Sequence, residues 1–169
     1  MESAQGKGSR FELSVPVRTV PDLPLRETNA LPEDVEADTD ERPLAVLVAE
    51  DNSVNAMVIS AMLKRMNCQV LVAADGEKAL QAYDGDRYGL VLLDLHMPVL
   101  GGMQVLAGIL ARQAVAGDAG PPVVALTADA YQETREACAA AGFSDFLTKP
   151  VSKAEVSRIV ADARARPAP

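Results

Sequence analysis

Five residues in one 100-residue stretch are of types that could assemble a site for phosphoryl chemistry. They are the acidic pair Glu50–Asp51 in "LVAED", Asp94 in "LVLLDLHMP", Thr127 in "VVALTA" and Lys149 in "FLTKP". Each stands at the end of an apolar run. Three carboxylates gathered within a few ångströms repel one another unless a cation neutralises them. An all-oxygen set without Cys or clustered His selects a hard cation, Mg2+ above all, which keeps several waters and accepts phosphate as co-ligand. Lys149 would add a second positive charge and Thr127 a hydroxyl. Such a set suits a phosphoryl group whose oxygens are held by metal and lysine while a carboxylate acts as nucleophile. Taken singly, each residue has an ordinary account: Asp51 as a loop start, Asp94 as a turn residue, Thr127 as a helix N-cap, Lys149 as a solvated lysine. Together at strand ends they are hard to explain structurally, and charge clusters in clefts lean towards function.

The elements that must position them follow from periodicity. Residues 44–51, 68–75, 89–94, 121–128 and 143–150 read as strands, and 53–67, 76–85, 102–115, 129–142 and 152–166 as helices. In the first helix Val54, Met57, Val58, Ala61, Met62 and Arg65 recur at helical spacing behind an N-cap at Asn52 or Ser53. In the second, Ala79, Leu80 and Tyr83 share a face. Strands that are apolar throughout need helices on both sides of a parallel sheet. With right-handed crossovers, the favoured fold is α/β: a flavodoxin-like doubly wound five-stranded sheet, order 2-1-3-4-5, with five helices. Ligands of such sheets sit outside the strand carboxyl ends, at the switch point between strands 1 and 3. Glu50, Asp51 and Asp94 end those two strands.

Composition narrows the partners. A chain of 169 residues has room for one ordinary domain and a tail, and 49% hydrophobic residues suffice for a core. With no Trp and only 4% aromatics, that core must be mostly Val, Leu, Ala and Met. No apolar run approaches the ~20 residues that span a bilayer, and the N-terminus lacks a signal-peptide core; a cytoplasmic location is expected. Cys68 and Cys138 read as buried or half-buried thiols in a reducing compartment rather than as a disulfide or metal site. A net charge of −8 argues against nucleic acid and for a cation as partner. Residues 18–43 mix prolines with acids and show no period, which marks an acidic Pro-rich linker. Before it, residues 6–9 read as a glycine turn and 11–17 as a strand.

Residues 44–166 resemble the receiver domain of two-component response regulators along their whole length. The motifs "LVAEDN", "LVLLDLHMP", "ALTA" and "FLTKP" follow in the order and at the spacings of that family. The resemblance implies that Asp94 is the phosphoacceptor. It makes Asp51 a direct Mg2+ ligand, Glu50 a ligand through water, and His96 the donor of a backbone carbonyl to the metal. Thr127 matches the switch hydroxyl and Phe146 the aromatic that moves inward on phosphorylation. Lys149 matches the family lysine, followed by a cis bond to Pro150. The implied partner is a phosphohistidine donor, on a kinase dimerisation domain or a histidine phosphotransfer protein; the chain's one histidine, His96, lies within the receiver itself. A phosphorylation-linked dimer is a further implication. Where the family commonly has Asp-Gly, Gly101–Gly102 stands, and the lost carboxylate is expected to loosen the start of the third helix. His96 and Asp129, each two residues past a key position, are expected to tune the lifetime of phospho-Asp94.

Two features point to a hybrid sensor histidine kinase as the parent. "EDNSVNAMV", with Asn52 and Asn55, resembles receivers attached to sensor kinases, and "GKGSRFELSVPV" (6–17) resembles the last glycine turn and strand of a histidine-kinase ATP-binding domain. On this reading residues 1–17 are the C-terminal remnant of that domain, 18–43 the tether, 44–166 the receiver and 167–169 a tail, with no room for a DNA-binding output domain. The receiver would catalyse only its own phosphorylation and dephosphorylation. Two rivals stand beside it. A Mg2+-dependent aspartyl-phosphate phosphatase normally needs a second acid two residues after its nucleophile, where this chain has His96. A pseudo-receiver, used for protein interaction or ligand control, predicts a broken acidic cluster, whereas Glu50, Asp51, Asp94, Thr127 and Lys149 are all present.

Overall fold

Five short strands with apolar residues on both faces pair in parallel from residue 44 onwards. The computed structural model describes residues 2–4, 8–10, 42–117, 120–128 and 131–166. The strands are β1 (Leu44–Ala49), β2 (Cys68–Ala73), β3 (Leu90–Asp94), β4 (Val123–Thr127) and β5 (Asp145–Thr148). Their spatial order is β2-β1-β3-β4-β5, all parallel, which is the doubly wound order 2-1-3-4-5. The crossovers are α1 (Ser53–Lys64), α2 (Gly76–Ala82), α3 (Gly102–Ala116) and α4 (Gln132–Ala141), and α5 (Lys153–Arg164) follows β5.

The central strands are wholly buried because helices cover both sides. Side chains alternate along β3: Val91 and Leu93 join a core with Tyr83, Val105, Leu106, Ile109 and Phe143. Leu90 and Leu92 join a second core with Ile59, Leu63, Val156, Ile159 and Val160. Two layers of helix therefore enclose one sheet, and strand direction brings all five strand carboxyl ends to one edge.

The helices start on side-chain caps wherever the sequence supplies one. Asn52 Oδ1 accepts from Val54 N (3.0 Å) and Asn55 N (3.3 Å), which resolves the choice between Asn52 and Ser53. Ser152 and Glu155 form a reciprocal capping box at α5. At α4 the N-cap is Tyr131, so Thr127 is a strand end and not a helix cap.

Several expectations need correction. In α1 the buried face is Ala56, Ile59, Ser60 and Leu63, while Val54, Met57 and Val58 are exposed, Met57 at 70%. The helix is apolar nearly all round, so periodicity alone could not choose its inner face. Helix α1 also ends at Lys64 rather than at residue 67: Asn67 takes a left-handed φ of 55°, and the Arg164 side chain donates to the carbonyls of Met66 (2.8 Å) and Asn67 (3.1 Å). Both cysteines are buried and free, with Cys68 opening β2 and Cys138 inside α4.

Residues Met1–Asp38 cluster separately from Thr39–Pro169. In that N-terminal unit, Glu2–Ala4 pairs antiparallel with Gly8–Arg10, so Gly8 and Ser9 belong to a strand and not to the expected turn. The expected strand at 11–17, most of the linker at 18–43, the tail at 167–169 and Asp129 lie outside the described residues.

Candidate functional site

Strand register assembles the site. Ala49 of β1 lies opposite Leu93 of β3, so Glu50 emerges beside Asp94. Glu50 N still donates to Ala73 O of β2 (3.1 Å), which fixes its backbone as a continuation of the sheet. Asp94 lies opposite Leu126, and Thr127 ends β4 one residue later. Beyond β5, Lys149 N donates to Thr127 O (2.8 Å), and the Lys149–Pro150 peptide is cis. Residues far apart in sequence thus meet at one end of the sheet because four parallel strands stop at nearly the same level.

Glu50, Asp51 and Asp94 offer carboxylate oxygens that all lie within 4.8 Å of one another. Glu50 and Asp94 are buried, at 1% and 4% exposure, and Asp51 faces solvent. The Lys149 ammonium sits 2.5 Å from Asp94 Oδ2 and 2.6 Å from Glu50 Oε2. Burial alone would pull the lysine's pKa down; the hydrogen bonds and charges of Asp94 and Glu50 together outweigh it and hold the ammonium above its ordinary value. The other Asp94 oxygen, Oδ1, accepts from His96 N at 3.0 Å.

The cluster is short of positive charge: one ammonium faces three carboxylates. Glu50 Oε2 is buried and its partner is the Lys149 ammonium at 2.6 Å, which it shares with Asp94. Hard oxygen donors at this spacing, three carboxylates sharing one ammonium, fit a hard divalent cation.

Around this centre, Thr127 is buried at 1% exposure and the His96 side chain is exposed. Phe146 is half-buried against the core, and the Arg135 guanidinium of α4 lies 4.3 Å from its ring centroid. Next to it, Asp145 is paired with Arg158 of α5 at 2.6 Å. Gly101 is the N-cap of α3 and supplies no side-chain hydrogen bond, so the contacts at this helix start come from backbone amides. Gly101 N donates to Gln104 Oε1 (3.0 Å), the half of a capping box that glycine can make, and Gly102 N donates to Leu95 O (3.1 Å).

Two contacts of the site escaped the sequence reading, although it had named both residues. Asn55 Nδ2 donates to Glu50 Oε1 at 3.1 Å. A polar residue three past the N-cap, in an otherwise apolar helix start, was the available signal. Gly102 packs against the Asp94 backbone so closely that a Cβ would lie 2.4 Å from the Asp94 carbonyl oxygen. Nothing local marks that approach.

A doubly wound sheet with an acidic cluster and a lysine at its switch point defines a receiver domain. The chain belongs to the response regulator receiver domain family, which residues 46–161 match. Among relatives, it is 32% identical over 138 residues to hybrid signal transduction histidine kinase L of Dictyostelium discoideum, covering 80% of this chain and 8% of that protein. It is 33% identical over 172 residues to the autoinducer 2 sensor kinase/phosphatase LuxQ of Vibrio harveyi, covering 98% of this chain and 19% of that one. The chain therefore spans only a small part of the relatives it matches. Among solved structures, the receiver domain of sensor histidine kinase PA1611 from Pseudomonas aeruginosa, with magnesium coordinated in its active-site cleft, is 36% identical with a TM-score of 0.64, covering 73% of this chain and 99% of that one. The receiver domain of Saccharomyces cerevisiae Ssk1, solved in complex with the histidine phosphotransfer protein Ypd1, belongs to a structure that is 26% identical with a TM-score of 0.67, covering 72% of this chain and 88% of that one. Among the described residues, no helix is long and apolar enough to cross a membrane.

Proposed function

We propose that this domain takes a phosphoryl group from a phosphohistidine onto Asp94. The observation that carries the reading is the buried Asp94 carboxylate, held on one oxygen by His96 N and on the other by Lys149. Glu50 and Asp51 stand within reach of the same space. In the reaction an Asp94 oxygen attacks phosphorus in line, the P–O bond forms and the P–N bond breaks, and its electron pair stays on the donor imidazole. Lys149 neutralises charge on the phosphoryl oxygens and the His96 amide fixes the carboxylate's orientation. Glu50, Asp51, Asp94 and the His96 carbonyl are the groups that would hold Mg2+, which supplies charge neutralisation at the phosphoryl oxygens.

The acyl phosphate would then draw Thr127 and Phe146 towards it and bias the α4–β5–α5 face between two arrangements. The donor would be a kinase dimerisation domain or a histidine phosphotransfer protein, the kind of protein with which the Ssk1 receiver was solved. A hybrid-kinase parent is supported by hybrid kinase L and by the LuxQ match, which extends over 98% of this chain and so takes in residues ahead of the receiver. On this reading residues 1–17 end a kinase ATP-binding domain and 18–43 tether it to the receiver. Asp129 and His96 would tune the phospho-Asp94 lifetime; an unchanged dephosphorylation rate in Asp129→Ala removes that role.

The deciding experiment incubates the chain with a phosphorylated histidine donor, or a small-molecule phosphodonor, plus Mg2+. An acid-stable, base-labile label is expected on wild type and not on Asp94→Asn. Absence of label on wild type, or equal label on both, refutes the proposal.

A further inference from the structure

The Glu50 carboxylate has two oxygens in different situations. Oε2 pairs with the Lys149 ammonium at 2.6 Å, whereas Oε1 accepts from Asn55 Nδ2 at 3.1 Å. Glu50 is 1% exposed, so water has little access to replace either contact. Asn55 is placed by the helix start itself: Asn52 caps the Val54 and Asn55 amides, and Ala56 N donates to Asn52 O (2.9 Å). That first turn aims a side-chain amide back at the residue that ended β1. Without that amide, Oε1 would be a buried acceptor with no partner. The Lys149 ammonium already lies 2.6 Å from Oε2, so a freed carboxylate would rotate and close on it with both oxygens.

We propose that Asn55 is a positioning residue, which pins one Glu50 oxygen so that the carboxylate stays open to the cleft and keeps its charge available to the cation bound there. This rests on the reading of the site as a Mg2+-assisted phosphoacceptor. Asn55 touches neither the phosphoryl group nor the reacting oxygen of Asp94; it acts through Glu50. The pin sits on α1, outside the strands, where substitution leaves the sheet and the Asn52 cap intact.

Titrate Mg2+ alone into wild type, Asn55→Ala and Asn55→Gln by calorimetry, and melt each protein in EDTA. Residues that orient metal ligands are worth about 10-fold or more in metal affinity. Asn55→Ala is therefore expected to bind Mg2+ about tenfold more weakly, with a melting temperature in EDTA close to wild type. Asn55→Gln, which keeps an amide donor, is expected to recover most of the loss. Wild-type affinity in Asn55→Ala overturns the inference, as does a loss in Asn55→Gln equal to that in Asn55→Ala. If wild type itself binds no Mg2+ and accepts no label at Asp94, the functional reading falls and this inference with it; when wild type binds and labels normally, the variants test Asn55 alone.

Discussion

Replacing Asp51 by Asn should make the domain more stable and at the same time blind to Mg2+. The carboxylate oxygens of Glu50, Asp51 and Asp94 lie within 4.8 Å of one another, and Lys149 pairs with Glu50 and Asp94. Two unit charges at that distance repel by about 0.9 kcal/mol in bulk water and about 3.5 kcal/mol at an effective dielectric near 20. Asp51 faces solvent, so the lower figure is the better guide. Two such repulsions, less the attraction of the ammonium, leave a relief of about 1 kcal/mol. For a domain of this size that raises Tm by roughly 3–5 °C. The assay is a circular dichroism melt at low ionic strength, in EDTA and then in excess MgCl2. Wild type should gain on adding Mg2+, by about 2.7 kcal/mol at a hundredfold excess over Kd, and Asp51→Asn should not. The reasoning is refuted if the variant melts below wild type in EDTA, or if both gain equally from Mg2+.

Further outcomes follow from the packing. Gly102→Ala would place a Cβ 2.4 Å from the Asp94 carbonyl oxygen and 3.0 Å from Leu95 Cα, both backbone; it should cost about 1–3 kcal/mol by urea denaturation and slow labelling of Asp94, and an unshifted midpoint would contradict the geometry. Arg164→Ala removes two hydrogen bonds from the carbonyls of Met66 and Asn67, and should lower stability by about 1–3 kcal/mol, read from the same titration. Burial raises the thiol pKa of Cys68, against a partial pull from Arg164, and that of Cys138. Both thiols should therefore react far more slowly with a disulfide reagent in the native state than in urea. Because the unfolded thiols lose their protons first, at about pH 8.5, stability should fall as pH rises above that value. A Cys68→Ala/Cys138→Ala double variant should show a shallower fall, and an identical pH slope would exclude the thiols as its source.

Much of the fold was legible because a parallel sheet covered on both faces leaves a strong trace. Its strands, such as Leu90–Asp94, read as unbroken apolar runs, and a charge at the end of such a run is conspicuous. The switch-point rule then told where Glu50, Asp51 and Asp94 would meet. What failed was orientation within an element. Helix α1 offers apolar stripes on more than one side, and only the sheet's second core selected Ile59 and Leu63 over Met57 and Val58.

By itself the sequence determined the alternation of strands and helices, the end of the sheet where the acidic cluster and the lysine gather, and the residues that stand there. Those follow from local period and from the handedness of parallel crossovers, which every stretch of chain carries within itself. Only the tertiary structure decided how the charges divide. Lys149 bridges Glu50 and Asp94, Asn55 takes the remaining Glu50 oxygen, Arg135 covers Phe146, and Arg164 closes the end of α1 from about a hundred residues away. The Lys149 and Arg164 contacts depend on distances of a few ångströms between segments remote in sequence, and those of Asn55 and Arg135 on how a helix packs beside its neighbouring strand. Such distances are set by packing, and no spacing along the chain encodes them.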